Sequence, residues 1–150
     1  MQTHAPSADG VIVIGATNRP ADLDEGVLRR LERRVYVPLP DATTRGALLR
    51  VVLASHATSL TDEDVAAIAG LTEGCSGSDI ASLCKEAAMR PIRELRPEQL
   101  ATVAAASLRP LARDDFEKAA AVVKASVPAA TLRAFEAWNA KFGIHMGSLA

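Results

Sequence analysis

The stretch VIVIGATNRPADLDEGVLRRLERRVYVPLP, residues 11–40, decides how the rest of the chain is read. Residues 11–14 are consecutive β-branched side chains, the pattern of a strand buried on both faces. A polar Asn18 follows, and the chain turns at Arg19-Pro20. Asp24 is placed to cap a short helix over residues 25–31. RVYVPLP, residues 34–40, reads as a second short strand that Pro38 and Pro40 end. Strand, crossing helix and strand make a fragment of a parallel sheet. It is only a fragment, because two strands apolar on both faces do not bury themselves.

Beyond Pro40 the periodicity is helical. Thr43 or Thr44 is expected to open a helix running to His56, with Leu48 and Val52, and Leu49 and Leu53, at i,i+4 spacing. Thr61 caps the next, with Val65, Ile68 and Ala69 facing inward. Ser76 caps a longer one, and Asp79 three residues on completes a capping box. Its inner stripe is Ile80, Leu83, Cys84, Ala87 and Ala88, and Pro91 kinks it before an end near Leu95. Residues 96–112 read as partly helical, then extended around 108–111. Asp114 with Glu117 predicts a capped helix carrying Phe116, Ala120 and Val123. Pro128 falls in the first turn of a last helix with the stripe Leu132, Phe135, Trp138 and Phe142. The fold class is therefore mainly α with a small α/β part, divided near Asp41.

Composition sets outer bounds. Of 150 residues 49% are hydrophobic and 23% charged, as in a globular chain with room for a core. A formal net charge of −1 gives no field to steer the molecule onto nucleic acid. No apolar run approaches the ~20 residues of a membrane span, and the polar start lacks the apolar stretch of a secretory leader. Cys75 and Cys84, with no histidine at ligand spacing, make neither a disulfide framework nor a metal set. His4, His56 and His145 stand apart from one another. A reducing, cytoplasmic setting and no metal site are the expectations.

An amide at the C-terminal end of a buried parallel strand lies where ligands sit in such sheets. It both donates and accepts, so it can orient a water against a phosphate. Arginines one short helix later face away from that strand end, and a neighbouring subunit's nucleotide is the economical target for them. Taken alone, Asn18 is more often a turn-former before Arg-Pro. Arg29, Arg30, Arg33 and Arg34 equally suit a solvated face answering Asp22, Asp24, Glu25 and Glu32.

Several motifs in order carry a resemblance that bears on Asn18, Arg29 and Arg30; for Arg33 and Arg34 an interface and ordinary ion pairs both stay open. Residues 11–40 look like the sensor-1 strand and arginine-finger helix of an AAA ATPase. GCSGSDIASLCKEAAMRPIREL, residues 74–95, resembles that family's lid helix. PIREL and FEAWNAKFG, residues 135–143, point to the meiotic subgroup, which holds the spastin-, fidgetin- and katanin-like proteins. KEAAMRPIRELRPEQL, residues 85–100, is most similar to the spastin-like branch. The resemblance implies a C-terminal remnant of the AAA+ α/β nucleotide-binding domain over 1–40, the helical lid over 41–127, and a C-terminal helix and tail over 128–150.

Site roles follow from the same resemblance. Asn18 takes the sensor-1 place, and Arg29 and Arg30 those of the arginine fingers. Gly77 and Ser78 lie where adenine and ribose meet the lid. An arginine finger contributes roughly 10³ to 10⁵ in rate to phosphoryl transfer, about 4 to 7 kcal/mol of barrier. Leu31 stands where the family usually has Phe, Cys75 where it has an aromatic, and Arg90 where it has glycine. Val52 stands where some relatives have a histidine beside the adenine. No G-x-x-x-x-G-K-[ST] loop occurs, and no apolar strand ends in an Asp-Glu pair. ATP with Mg²⁺ is thus a cofactor of the complete ATPase, while this chain alone is expected to hold none and hydrolyse none. The family resemblance implies a hexameric ring, and the subgroup match implies a spastin-like microtubule-severing enzyme acting on tubulin. Alternatives are an ESCRT-III-disassembling vacuolar-sorting ATPase, which PIREL and AWNAKFG argue against, and a non-enzymatic helical module that binds AAA rings.

Overall fold

The computed structural model describes residues 12–100, 102–104 and 107–144. The chain divides into two compact units, Met1–Val35 with Phe135–Ala150, and Tyr36–Ala134.

In the first unit neither expected strand forms among the described residues. Residues 12–17 are irregular, and Ile12 and Ile14 are 83% and 88% exposed. Residues 34–40, which reach into the second unit, are irregular too, with Val35 and Val37 open to solvent. Val11 lies outside the described residues. A strand's N–H and C=O groups need a neighbouring strand, and among the described residues neither segment has one. A 3₁₀ turn, Pro20–Asp22, leads into helix α1, Glu25–Arg30. The Asp24 carboxylate caps α1, accepting from the Val27 amide at 2.9 Å.

The second unit is the helical bundle. Helices α2 (Ala42–Leu53), α3 (Asp62–Leu71) and α4 (Gly77–Ala88) are followed by the short α5 (Arg90–Arg93) and α6 (Pro97–Leu100), then by α7 (Arg113–Val122). Asp41 caps α2, accepting from the Thr44 amide at 2.7 Å, so the helix opens at Ala42, one or two residues before the expected Thr43 or Thr44. Thr61 and Ser76 form the capping boxes of α3 and α4 with Asp64 and Asp79. Between them Gly74 has φ +77°, the left-handed conformation that favours glycine after a helix end. Helix α4 stops at Ala88 and α5 begins with Pro91 in its first turn, as the kink expectation had it.

Helix α7 starts at Arg113 with Asp115, not Glu117, reaching back to the Ala112 amide at 3.0 Å. Asp115 is chosen by its partners. Arg109 grips the buried carboxylate through two bonds, of 2.7 and 2.8 Å, and also pairs with Glu94. A single parallel bridge, Thr58 to Leu111, ties the loop before α3 to the chain entering α7.

The bundle core is Leu49, Leu53, Val65, Ile68, Cys75, Ile80, Leu83, Cys84, Ala87, Leu111, Phe116 and Ala119. Apart from Cys75 and Leu111, which lie in the segments leading into α4 and α7, these are the inner stripes of α2, α3, α4 and α7, so helical spacing converts directly into burial. Phe116 has no exposed surface at all. Arg45, Asp79 and Asp115 are buried as well. Arg45 donates to the Ala69 carbonyl from Nε (3.0 Å) and Nη2 (2.8 Å), and to the Pro40 carbonyl from Nη1 (2.8 Å).

The last helix, α8, spans Ala129–Phe142, with Pro128 just before it accepting from the Thr131 and Leu132 amides. Its expected stripe of Leu132, Phe135, Trp138 and Phe142 is half-buried throughout. No helix among the described residues is long and apolar enough to cross a membrane.

Candidate functional site

Asn18 sits at an exposed bend. The Thr17 hydroxyl closes that bend by accepting from the Arg19 amide at 3.0 Å, and Arg19 pairs with Asp22 at 2.7 Å. No group among the described residues hydrogen-bonds the Asn18 side chain, which leaves its donor and acceptor both open.

Arg29 and Arg30 form the last turn of α1, where cations meet the negative end of the helix. Arg29 donates to Glu25 one turn back at 2.8 Å, with 78% of its side chain exposed. Such a pair costs little to break. Arg30 is exposed and has no carboxylate partner among the described residues. An open hollow of about 510 Å³ lies beside the helix, lined by Glu25, Leu28, Arg29, Glu32, Arg34 and Phe142. Leu31 ends α1 half-buried.

Gly77 and Ser78 open α4 in the other unit, both exposed. A Cβ at Gly77 would meet nothing nearer than Leu48 Cδ1 at 3.9 Å, so the backbone there stays approachable. Beneath them the Asp79 carboxylate accepts from the Ser76 amide (2.8 Å) and from the Ser126 amide (3.2 Å). Burial pushes the Asp79 carboxyl up, but the bonds from Ser76 and Ser126 outweigh it and hold it below the usual range. Burial raises both thiols, Cys84 to about 11, so neither is a ready nucleophile.

The expected site residues thus fall into two sets. Asn18, Arg29 and Arg30 belong to one unit, and Gly77 and Ser78 to the other. Three further residues carry structure around them that periodicity did not reveal. Arg34 is half-buried, pairs with no carboxylate among the described residues and clamps backbone carbonyls instead. Asp79 does more than box Ser76. Arg90 pairs with Glu86 and reaches the Lys118 carbonyl at 3.3 Å. The one available signal was that helix C-termini leave carbonyls unsatisfied and an arginine follows shortly after.

Comparison with known proteins agrees with this division. Residues 1–39 match the family of ATPases associated with various cellular activities (AAA), and residues 62–103 match the AAA+ lid domain. The chain belongs to the AAA family, of which it carries a C-terminal region with its lid. Spastin from Sus scrofa is 47% identical over 135 residues, 90% of this chain and 22% of that protein. The crystal structure of the FIGL-1 AAA domain in complex with ADP superposes with a TM-score of 0.82 at 38% identity, covering 87% of this chain and 44% of that one. A katanin structure described for its self-assembly gives a TM-score of 0.66 at 32% identity, over 79% of this chain and 43% of that one. The chain therefore spans about a fifth of the spastin and under half of either solved chain.

ATP fits the residues present only in part. The exposed start of α4 offers open backbone to a base or ribose. The sequence has no glycine-rich loop to cradle phosphates. Among the described residues no group of three His, Cys, Asp or Glu is disposed to hold a metal ion.

Proposed function

We propose that these residues serve as the sensor-1, arginine-finger and lid portion of a spastin-like AAA ATPase that couples ATP hydrolysis to remodelling, foremost the severing of microtubules. The observation that carries this reading is the exposed Arg29–Arg30 pair on a capped helix, within a chain 47% identical to spastin. Arg29 and Arg30 reach the nucleotide held by an adjacent subunit of a hexameric ring and neutralise charge on the transferring phosphoryl group. Asn18 orients the attacking water, and Gly77 and Ser78 lie along adenine and ribose. ATP with Mg²⁺ supplies the bond to be cleaved and the countercharge, held by residues other than those described here. The katanin relative studied for its self-assembly supports a ring. Tubulin as substrate and a cytoplasmic, microtubule-associated location follow the spastin likeness.

Turnover of ATP and loss of microtubule polymer by the ring-assembled ATPase test the reading. Both are expected to collapse in Arg29→Ala and Arg30→Ala variants. Wild-type turnover with intact microtubules and dissolved ESCRT-III polymer would replace the severing role with the vacuolar-sorting one. For the 150-residue chain by itself, titration with ATP·Mg²⁺ is expected to show weak binding or none, and micromolar affinity would contradict that.

A further inference from the structure

Arg34 lies four residues beyond α1, yet its guanidinium turns back to that helix. Its Nη2 donates to the Leu28 carbonyl. Its Nη1 donates at 3.1 Å to the carbonyl of Phe142, the last residue of α8. In return the Arg34 carbonyl accepts from the Ile144 amide at 3.0 Å. Carbonyls in the final turn of a helix have no intrahelical donor, and both helix ends carry partial negative charge. One guanidinium therefore satisfies orphan acceptors of two helices at once. A lysine ammonium lacks the rigid fork that makes this possible. Glu25 and Glu32 line the same hollow, but Arg34 pairs with no carboxylate among the described residues.

A second observation shows that the α8 side of this contact is shaped for it. A Cβ at Gly143 would overlap Asn139 Oδ1 and lie 2.8 Å from the Asn139 carbonyl oxygen. Glycine there lets the Gly143 amide close on Asn139 at 2.7 Å and brings Ile144 round to Arg34. The Trp138 and Phe142 rings, with centroids 5.2 Å apart, brace the same turn.

We infer that Arg34 is a positioning residue for Arg29 and Arg30, clamping the last turn of α1 to the last turn of α8. The end of the final helix then sets the aim of the fingers. The inference rests on the finger reading proposed above, and its clamp can be measured without nucleotide.

Hydrogen exchange on the 150-residue chain is the first test. Arg34→Gln is expected to speed exchange of the Leu31 and Gly143 amides on the order of tenfold, two charge-assisted bonds being lost. Ile80, inside the bundle, should not change. Gly143→Ala should speed Leu31 as well, although the substitution is on the other partner, and Arg34→Lys should fall between wild type and Arg34→Gln. Unchanged Leu31 exchange in both Arg34→Gln and Gly143→Ala would overturn the clamp.

In the ring-assembled ATPase, Arg34→Gln is expected to lower kcat about tenfold with KM for ATP unchanged, and Arg34→Lys to recover part of the loss. A kcat at the wild-type level, or a loss carried by KM, would overturn the positioning role. An unaltered kcat in Arg29→Ala would instead sink the finger reading, and the exchange rates would tell the two failures apart.

Discussion

The two units of this chain obtain their order differently. Tyr36–Ala134 has its own core, in which Phe116, Leu49, Ile68, Ile80 and Leu83 are almost wholly removed from water. The helices of the other unit, by contrast, contain no fully buried residue, and its apolar Ile12, Val13, Ile14 and Val35 are exposed. Order there comes from caps and clamps: Asp24 on α1, Thr17 at the bend before it, and Arg34 on two helix ends. A core resists deletion of any single polar bond, whereas a set of clamps gives way one at a time. Substitutions in the bundle should thus move stability, and substitutions around α1 should move rate.

The sharpest contrast is expected at the fingers. Arg29→Ala or Arg30→Ala in the assembled ATPase should cost on the order of 10³ to 10⁵ in turnover, with the bundle's melting temperature unmoved; equal losses of both would blur the comparison. Phe116→Ala should do the reverse, destabilising the bundle by about 3–5 kcal/mol through lost burial and a cavity, as chemical denaturation would register. Arg109→Ala comes next at about 2 kcal/mol, less than a fully buried pair because Arg109 is 39% exposed. That change also shifts acid sensitivity. The bonds from Arg109 hold the Asp115 carboxyl below its ordinary 3.8 despite opposing burial. The stability it contributes is present above that value and is lost as pH falls below it. Without Arg109 the burial remains, so acid unfolding should begin at higher pH. Asp24→Ala should be the mildest, removing about 1 kcal/mol from α1 alone, seen as faster exchange of the Leu31 amide while bundle amides keep their protection.

Local signals were legible and pairings at a distance were not. The caps at Asp24, Thr61 and Ser76 could be read because donor and acceptor lie three residues apart. The inner stripes of α3 and α4 were read correctly for a similar reason, since helical spacing alone puts Val65, Ile68, Ile80 and Leu83 on one face. Strands at 11–14 and 34–40 failed because β-branched residues announce only a willingness to pair. The cap at Asp41 directly follows Pro40, where the sequence pattern ends a strand, and Thr43 and Thr44 offer competing caps just beyond it. The start of α7 was misplaced because Arg109, six residues before Asp115, selects that carboxylate over its neighbours. In the candidate site, Asn18, Arg29, Arg30, Gly77 and Ser78 came from motif order. The Arg34 clamp has no such local signal, its partner at Phe142 being 108 positions away.

Arg45 has a mechanical consequence. Its guanidinium, buried to 6% exposure, joins the Pro40 carbonyl at the entrance to α2 with the Ala69 carbonyl near the end of α3. Tension applied along the chain ahead of Pro40 is delivered across the bundle to α3 rather than peeling α2 away from its first turn. In that sense Arg45 is a rivet, and the helices it fastens take up load together.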